Sequence, residues 1–178
     1  KVDDKLKDFY ELHRRRKSIR EFSDRLVEPE KLERLLEALR RSQSAANRQP
    51  WHFIVIPDRE GRAPLDEVFT KEGFRKAPLL IVACADPAQA WTRRADKVNF
   101  AWVDTTIAVT EMIAVATAEG LGTCWVAAIE PELVREKLGI PGQMDIVAII
   151  ALGYPEKELV VEDKARKPLA EIIHHGKW

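Results

Sequence analysis

The sequence predicts a sandwich of helices and sheet, of the α+β or α/β class. Helical periods alternate with short, branched apolar runs along its 178 residues, and about four of these runs have the length of strands. No internal repeat, low-complexity segment or linker interrupts the pattern. We therefore predict a single domain over residues 1–178, large enough to bury roughly two thirds of the surface of its unfolded form.

Two helices are predicted in the first quarter of the chain. The first has apolar and aromatic positions at spacings of three and four: Leu6, Phe9, Tyr10 and His13. The second starts near Pro29, and its stripe consists of Leu32, Leu35, Leu36 and Leu39. Between them lies a basic run, RRRKSIR, over residues 14–20.

The middle of the chain predicts two buried strands, at residues 52–57 and 79–85, since both runs are short and rich in branched side chains. Residues 64–69 are predicted as a short helix, and residues 70–77 as a polar connection. Residues 99–119 are apolar on nearly every face. This pattern is typical of a central core helix, or of a helix buried against both its own subunit and another.

The last third predicts a strand or extended segment at 123–127, a short helix at 131–138 and a buried strand at 145–152. Gly120 ends the long apolar helix, and Gly153 follows the last strand.

Composition excludes several classes of function. The 29 basic and 29 acidic side chains cancel, which disfavours general nucleic-acid or membrane-surface binding. No uninterrupted apolar run approaches the roughly 20 residues that span a bilayer, and the charged N-terminal pattern resembles no signal peptide. Cys84 and Cys124 lie in apolar segments without metal-ligand spacing and are interpreted as reduced, buried thiols. We predict a cytoplasmic protein without a metal, nucleic-acid or membrane partner.

Two segments suggest a flat, phosphorylated ligand. The basic run concentrates five cationic groups and a hydroxyl in seven residues, a set suited to a phosphate. Residues 44–51, SAANRQPW, offer hydrogen-bond donors and acceptors ahead of a predicted strand. The simpler alternative for the run is that its cations complement the C-terminal dipole of the first helix.

Five motifs in order resemble those of the FMN-dependent nitroreductase family. They are RKSIR at residues 16–20, QSAANRQPW at 43–51, GLGTCW at 120–125, GYP at 153–155 and KARKPL at 164–169. Gln43 and Ala46 depart from the family, which commonly has Pro and Gly there, and this predicts a slightly different backbone path for the loop. The chain is also short for the family.

The resemblance implies an α+β fold with a central, mostly antiparallel sheet flanked by helices, in an interlocked homodimer that binds FMN between subunits. It implies cofactor-binding roles for thirteen residues: Arg16, Lys17, Ser18, Arg20, Ser44, Ala45, Asn47, Gln49, Gly120, Leu121, Gly122, Lys164 and Arg166. Arg16, Ser18, Lys164 and Arg166 would hold the phosphate, and Arg20 would lie at the pyrimidine edge of the flavin. The alternative for Arg20 is an ion pair with Glu21 or Asp24, and Trp51 is expected to pack rather than bind ligand.

The activity that the resemblance implies is ping-pong electron transfer. NADH or NADPH would reduce FMN, and a nitroaromatic, a quinone or another electron-poor small molecule would take two electrons. No catalytic side chain is expected beyond the tuning role of Arg20. Two alternatives stay open: another reductive activity on the same fold, such as dehalogenation or enoate reduction, and a non-catalytic FMN carrier or redox sensor.

Overall fold

The centre of the fold is a four-stranded antiparallel sheet in the order β1-β2-β4-β3. The computed structural model describes residues 3–158 and 164–178. Its strands are β1 (Trp51–Ile56), β2 (Leu79–Ala85), β3 (Gly122–Val126) and β4 (Asp145–Gly153). All four predicted strands are present, and their antiparallel pairing confirms the α+β class.

Seven helices surround the sheet in the described residues: α1 (Asp4–Arg15), α2 (Pro29–Arg41), α3 (Arg59–Arg62), α4 (Glu72–Arg75), α5 (Ala101–Ala118), α6 (Pro131–Leu138) and α7 (Leu169–Ile172). Two 3₁₀ helices, Ala45–Asn47 and Ala63–Val68, complete the elements. The short helix predicted at 64–69 is the second of these. The polar connection predicted at 70–77 is wrong in part, because α4 forms within it and buries Phe74 in the core.

The sheet is buried on both faces, which explains its continuous apolar strands. Every residue of β2 is buried. Leu79 and Ile81 belong to the core under α2 and α5, whereas Leu80 and Val82 belong to the core on the other face. Residues of the Ala63–Val68 3₁₀ helix and of α6 cover that second face. The result is a three-layer arrangement of helix, sheet and helix.

The long apolar helix α5 is only partly buried within the protomer. Its inner face, which includes Ala108 and Met112, packs against the sheet and α2. At its N-terminal end Trp102 and Val103 are 50% and 44% exposed. By length and composition α5 resembles a membrane span, yet 44% of it is buried inside the protein.

Helix α1 forms as its periodicity predicts, but this chain does not bury its apolar face. Leu6, Phe9 and Tyr10 are 48%, 54% and 55% exposed. The helix contacts α5, whose residues Trp102 and Val103 are also exposed. Exposed apolar side chains on two contacting helices are typical of a protein interface.

Candidate active site

Three of the five motifs meet at the β3 edge of the sheet. The segment after α1 is extended, and Ser18 forms a parallel bridge with Thr123 of β3. The Ile19 amide donates to the Thr123 carbonyl over 2.8 Å. Further along, Phe22 bridges Pro155, beyond the end of β4. The basic segment, which we define as residues 16–22, therefore pairs beside the sheet through two isolated bridges and contacts both the GLGTCW and the GYP motifs.

Gly122 is required for this pairing. A Cβ atom on Gly122 would lie 2.7 Å from Cγ1 of Ile19, closer than real Cβ contacts occur. The family resemblance implies a cofactor-binding role for this glycine, which stays a prediction. The structure places Ile19 in the space that a side chain would need, so the glycine also lets the basic segment pack against β3.

The turn before Gly122 caps α5. Gly120 has a φ of 76°, in the left-handed region that favours glycine. The amides of Gly120 and Leu121 donate to the carbonyls of Thr117 and Ala116, which closes the last turn of the helix. The Leu121 side chain is buried in the core. Only its backbone remains available for the cofactor role predicted from the sequence.

The basic segment lines an open cleft of about 250 Å³ together with Pro155, Lys157 and Glu158. Arg16, Lys17 and Ser18 are half-buried, and Arg20 is exposed. No described carboxylate forms an ion pair with Arg16 or Arg20, so the alternative pairing of Arg20 with Glu21 or Asp24 does not occur among these residues. Uncompensated cations beside an open cleft form a surface that favours an anion.

Lys71 is a cation that the sequence reasoning missed. Burial raises the pKa of the Cys124 thiol, and the positive charges of Arg20, Lys71 and Lys164 lower it in part. These three cations therefore act on one region of the protein. No motif marks Lys71, since it precedes α4 in the stretch predicted as a connection. The neighbouring Gly73 fits tightly, because a Cβ there would overlap the Arg20 carbonyl.

The two cysteines are structural. Burial raises the pKa of Cys84 to about 11, and Cys124 is 4% exposed. Neither thiol is therefore a reactive nucleophile near neutral pH. Within residues 3–158 and 164–178, no group of three or more His, Cys, Asp or Glu side chains could hold a metal ion.

The predicted tail residues Lys164 and Arg166 are exposed. The positive charge of Lys164 is one of those that lower the pKa of the Cys124 thiol in β3, so Lys164 lies on the side of the protein where β3 is. The Arg166 guanidinium donates to the Ala165 carbonyl over 3.0 Å. The remaining charge of this tail is available to a ligand at the surface.

The second predicted wall of the site, residues 44–49, is a strained loop closed by its own hydrogen bonds. Ala46, Asn47 and Gln49 all have φ near 50°, which non-glycine residues seldom adopt. The Ser44 hydroxyl accepts from the Gln49 amide, and the Gln49 side chain donates to the Asn47 carbonyl and side-chain oxygen. Ala46 thus adopts the left-handed conformation that glycine, the common family residue at this position, favours, and the predicted difference in backbone path stays a prediction.

A buried carboxylate anchors this loop to the core. Asp104 of α5 is 1% exposed, and its Oδ1 accepts from the Ala45 amide over 3.0 Å. The Asp104 side chain is therefore a buried hydrogen-bonding position. Trp51, directly after the loop, is half-buried and packs against the core, as expected.

The loop and the basic segment lie at opposite ends of the protomer. The loop is anchored at Asp104, in the first turn of α5, whereas the Gly120 turn follows the last turn. The helix between Asp104 and Ala118 spans about 21 Å. In addition, the loop leads into β1 at one sheet edge, and the basic segment pairs with β3 at the other. Within one chain, the two predicted walls do not face each other.

Comparison with known proteins identifies the family. The sequence model of the Nitroreductase family matches residues 13–72 and 63–154. The chain belongs to the nitroreductase family. It is 37% identical to an Archaeoglobus fulgidus protein, provisionally named an NADH dehydrogenase/NAD(P)H nitroreductase, over 92% of this chain and 94% of that one.

Solved structures share the fold of this nitroreductase family member. A nitroreductase family protein of Clostridium difficile superimposes with a TM-score of 0.86 at 35% identity, covering 94% of this chain and 98% of that one. An FMN-dependent nitroreductase of the same species gives a TM-score of 0.78 at 29% identity, over 94% and 98% of the two chains. More distantly, human iodotyrosine deiodinase 1 is 25% identical over 93% of this chain and 68% of its own length.

Proposed function

We propose that this nitroreductase family member is an FMN-dependent oxidoreductase that takes electrons from NADH or NADPH. The acceptor would be a nitroaromatic, a quinone or a similar electron-poor small molecule. Membership in the nitroreductase family and the names of its relatives identify the protein as an oxidoreductase. The observation that carries the proposal is the cleft at the β3 edge, where the basic segment, the β3 turn and the GYP motif converge and where Arg16 and Arg20 form no ion pair with a described carboxylate.

The residues of this cleft fit FMN. A phosphate needs cationic and hydroxyl donors, which Ser18 in the cleft would supply together with Arg16, Lys164 and Arg166. Arg20 is exposed at the same cleft. Gly73 packs closely against its backbone carbonyl, which fixes the point from which the side chain extends. Lys71 adds a second cation on that side.

The bound FMN would supply the redox chemistry, receiving a hydride equivalent from the reduced nicotinamide and giving two electrons to the acceptor. The protein's own contribution is electrostatic and positional. Arg20 and Lys71 would stabilise negative charge that develops at the pyrimidine edge of the ring, which favours reduction. The segment of residues 16–22 is fixed by its pairing with β3, and it would position the ring and the phosphate of FMN beside the turn at Gly120.

We further infer that the complete site forms between two copies of the chain. The loop at residues 44–49 lies about 21 Å along α5 from the β3 turn, which exceeds the reach of a flavin ring bound beside Arg20. A second copy could present its loop there. The half-exposed apolar side chains of α1 and α5 provide a surface for such an isologous dimer.

Reductive dehalogenation is the second candidate, since a relative named iodotyrosine deiodinase 1 aligns with 93% of this chain. A non-catalytic FMN carrier is the third. Steady-state oxidation of NADH or NADPH with a quinone, a nitroaromatic or an iodophenol as acceptor separates the three. Turnover with the first two acceptors supports the main proposal, turnover restricted to the iodophenol supports dehalogenation, and no turnover supports a carrier.

The deciding experiment is an absorbance spectrum of the purified protein, followed by anaerobic titration with NADH and NADPH. We expect flavin bands that bleach with one of the two reductants. The variant Arg20→Ala should lower the flavin reduction potential, whereas Arg94→Ala, an exposed arginine outside the cleft, should not. Protein that stays colourless after incubation with FMN would refute the cofactor proposal, and a monomer that binds FMN tightly would refute the shared site.

A further inference from the structure

A cavity of about 340 Å³ lies on the sheet face that α6 covers, beside the edge strand β1. Residues of β1, the end of β2 and the loop between α6 and β4 bound it. Its volume is within the range of small-molecule sites. None of its lining residues belongs to the five motifs, and none lines the cleft of the basic segment. The function proposed above therefore leaves this cavity without a role.

The floor of the cavity is apolar. Five side chains form it: Ile54, Cys84, Leu138, Ile140 and Met144. All five belong to the core on this face of the sheet or pack against it. The sulfur atoms of Cys84 and Met144 are polarisable and make favourable contacts with aromatic rings. An aromatic group therefore suits this floor.

Asp86 is the only Asp, Glu, Lys or Arg among the described lining residues. Its amide donates to the Pro50 carbonyl over 2.7 Å, so the pairing of β1 with β2 continues one residue beyond β2. Side chains alternate between the two faces of a strand, so Asp86 lies on the same face as Cys84. That face carries the cavity, and the register therefore directs the Asp86 carboxylate to the cavity wall.

The charge of Asp86 has no counter-ion within the described chain. The residue is 8% exposed. Its two oxygens accept one hydrogen bond each, from the Ala88 amide over 2.9 Å and from the Gln89 side chain over 2.8 Å. Both donors are neutral, and no described Lys, Arg or His forms an ion pair with Asp86. Each oxygen has a second lone pair, so the carboxylate can still accept from a ligand.

Arg135 is near the cavity but is engaged elsewhere. Its charge acts on the Cys84 thiol, where it partly offsets the rise in pKa that burial causes. Its terminal nitrogens donate to the carbonyls of Pro141 and Met144 over 2.6 and 3.0 Å. These bonds hold the loop that forms one wall, so the cavity is formed before any ligand binds. A preformed apolar cavity with one uncompensated carboxylate favours an apolar cation.

We propose that this cavity binds a primary arylalkylamine, with the aromatic ring on the apolar floor and the ammonium group at the Asp86 carboxylate. An ammonium group supplies three donors and the missing positive charge. A carboxylate ligand would be repelled by Asp86, and a neutral ligand would leave its charge uncompensated. The site is separate from the flavin cleft and does not depend on the FMN assignment.

Calorimetric titration of the purified protein in the presence of FMN tests the proposal, with 2-phenylethylamine, tyramine and tryptamine as probes. We expect at least one of them to bind once per chain with a Kd at or below about 1 mM. The neutral analogue 2-phenylethanol should bind about tenfold more weakly than 2-phenylethylamine, or weaker still. The anion 3-phenylpropionate should not bind at up to about 10 mM. The flavin absorbance bands should not change during the amine titration.

Variants locate the binding. Asp86→Asn keeps the shape of the side chain but removes its charge, and should weaken amine binding by about tenfold or more while leaving 2-phenylethanol unaffected. Gln89→Lys, at an exposed position, places an ammonium group within reach of Asp86 and should compete with the amine. Glu33→Gln removes an exposed carboxylate outside the cavity, and should leave amine binding unchanged.

Several results would overturn the proposal. Binding of none of the three amines would do so, as would 2-phenylethanol binding as tightly as 2-phenylethylamine. Unchanged amine affinity in Asp86→Asn would place the binding elsewhere. If Asp86→Asn does not fold, unchanged affinity in Gln89→Lys has the same meaning. Loss of flavin absorbance on titration would assign the amine to the cofactor cleft.

Discussion

The two predicted walls of the flavin site are built in opposite ways. The basic segment, residues 16–22, is held by backbone pairing and by a close fit between Ile19 and Gly122, and two of its cations, Arg16 and Arg20, form no ion pair with a described carboxylate. The loop at residues 44–49 is held by internal hydrogen bonds and one buried carboxylate, at the cost of three left-handed non-glycine residues. The first wall is a cationic segment fixed by backbone pairing, and the second is a polar loop with a strained backbone. Because the two walls lie at opposite ends of α5, we expect substitutions in each to change stability and FMN affinity independently.

Removing the fit at Gly122 should have the largest effect on the basic segment. Gly122→Ala places a methyl group 2.7 Å from the Ile19 side chain, which should cost about 2 to 3 kcal/mol and move the segment off β3. Urea denaturation and FMN titration measure the two consequences. Gly142→Ala, where a Cβ has open space, is the matched control. The double variant Gly122→Ala with Ile19→Ala should recover part of the FMN affinity, and a fully neutral Gly122→Ala would contradict this assignment.

Removing the anchor at Asp104 should have the next largest effect, on the loop. Asp104→Ala leaves the Ala45 amide without its acceptor and should lower the free energy of unfolding by about 1 to 2 kcal/mol. FMN affinity should fall as well if the loop completes the site of a partner subunit. Asp104→Asn retains an acceptor oxygen and serves as the control. Equal stability of the alanine variant and the unchanged protein would show that the loop needs no anchor.

Relieving the strain at Ala46 should have a smaller effect of opposite sign. A left-handed conformation costs a non-glycine residue about 1 to 2 kcal/mol, and part of the gain from glycine is lost to the greater freedom of its unfolded chain. Ala46→Gly should therefore stabilise the protein by about 0.5 to 1 kcal/mol, measured by urea denaturation. The same change at Ala38, within α2, should destabilise it. Destabilisation by Ala46→Gly would mean that this backbone is not strained.

The smallest effect should come from the GYP motif, through pH. The Tyr154 hydroxyl donates to Glu28 over 2.6 Å, and this bond together with Arg25 lowers the pKa of Glu28 from 4.5 to about 2. A depressed carboxylate pKa contributes stability above the unfolded pKa, and that contribution is lost as pH falls through the folded pKa. Melting temperatures between pH 4.5 and 2 should therefore fall less steeply for Glu28→Gln than for the unchanged protein. Glu33→Gln, at an exposed position of α2, is the control, and parallel curves for all three proteins would exclude the linkage.

Much of the fold could be predicted because local patterns decided it. The stripe of leucines in α2 and the fully apolar run of β2 each require one kind of element and one degree of burial. Helix α4 was missed because a single turn has no periodicity, and what stabilises it is the burial of Phe74. The exposed apolar face of α1 could not be predicted either, since a pattern states which residues prefer burial but not which surface buries them.

The candidate site divides in the same way. By itself, the sequence determined the α+β elements, the family and the identity of the cationic segment, because these depend on residue types and their order. Only the tertiary structure decided that Gly122 allows the packing of Ile19 and that Lys71 joins the cations near Cys124. It also separated the loop from the basic segment by the length of α5. Distances between residues far apart in the chain follow from how whole elements pack, and no local pattern encodes them.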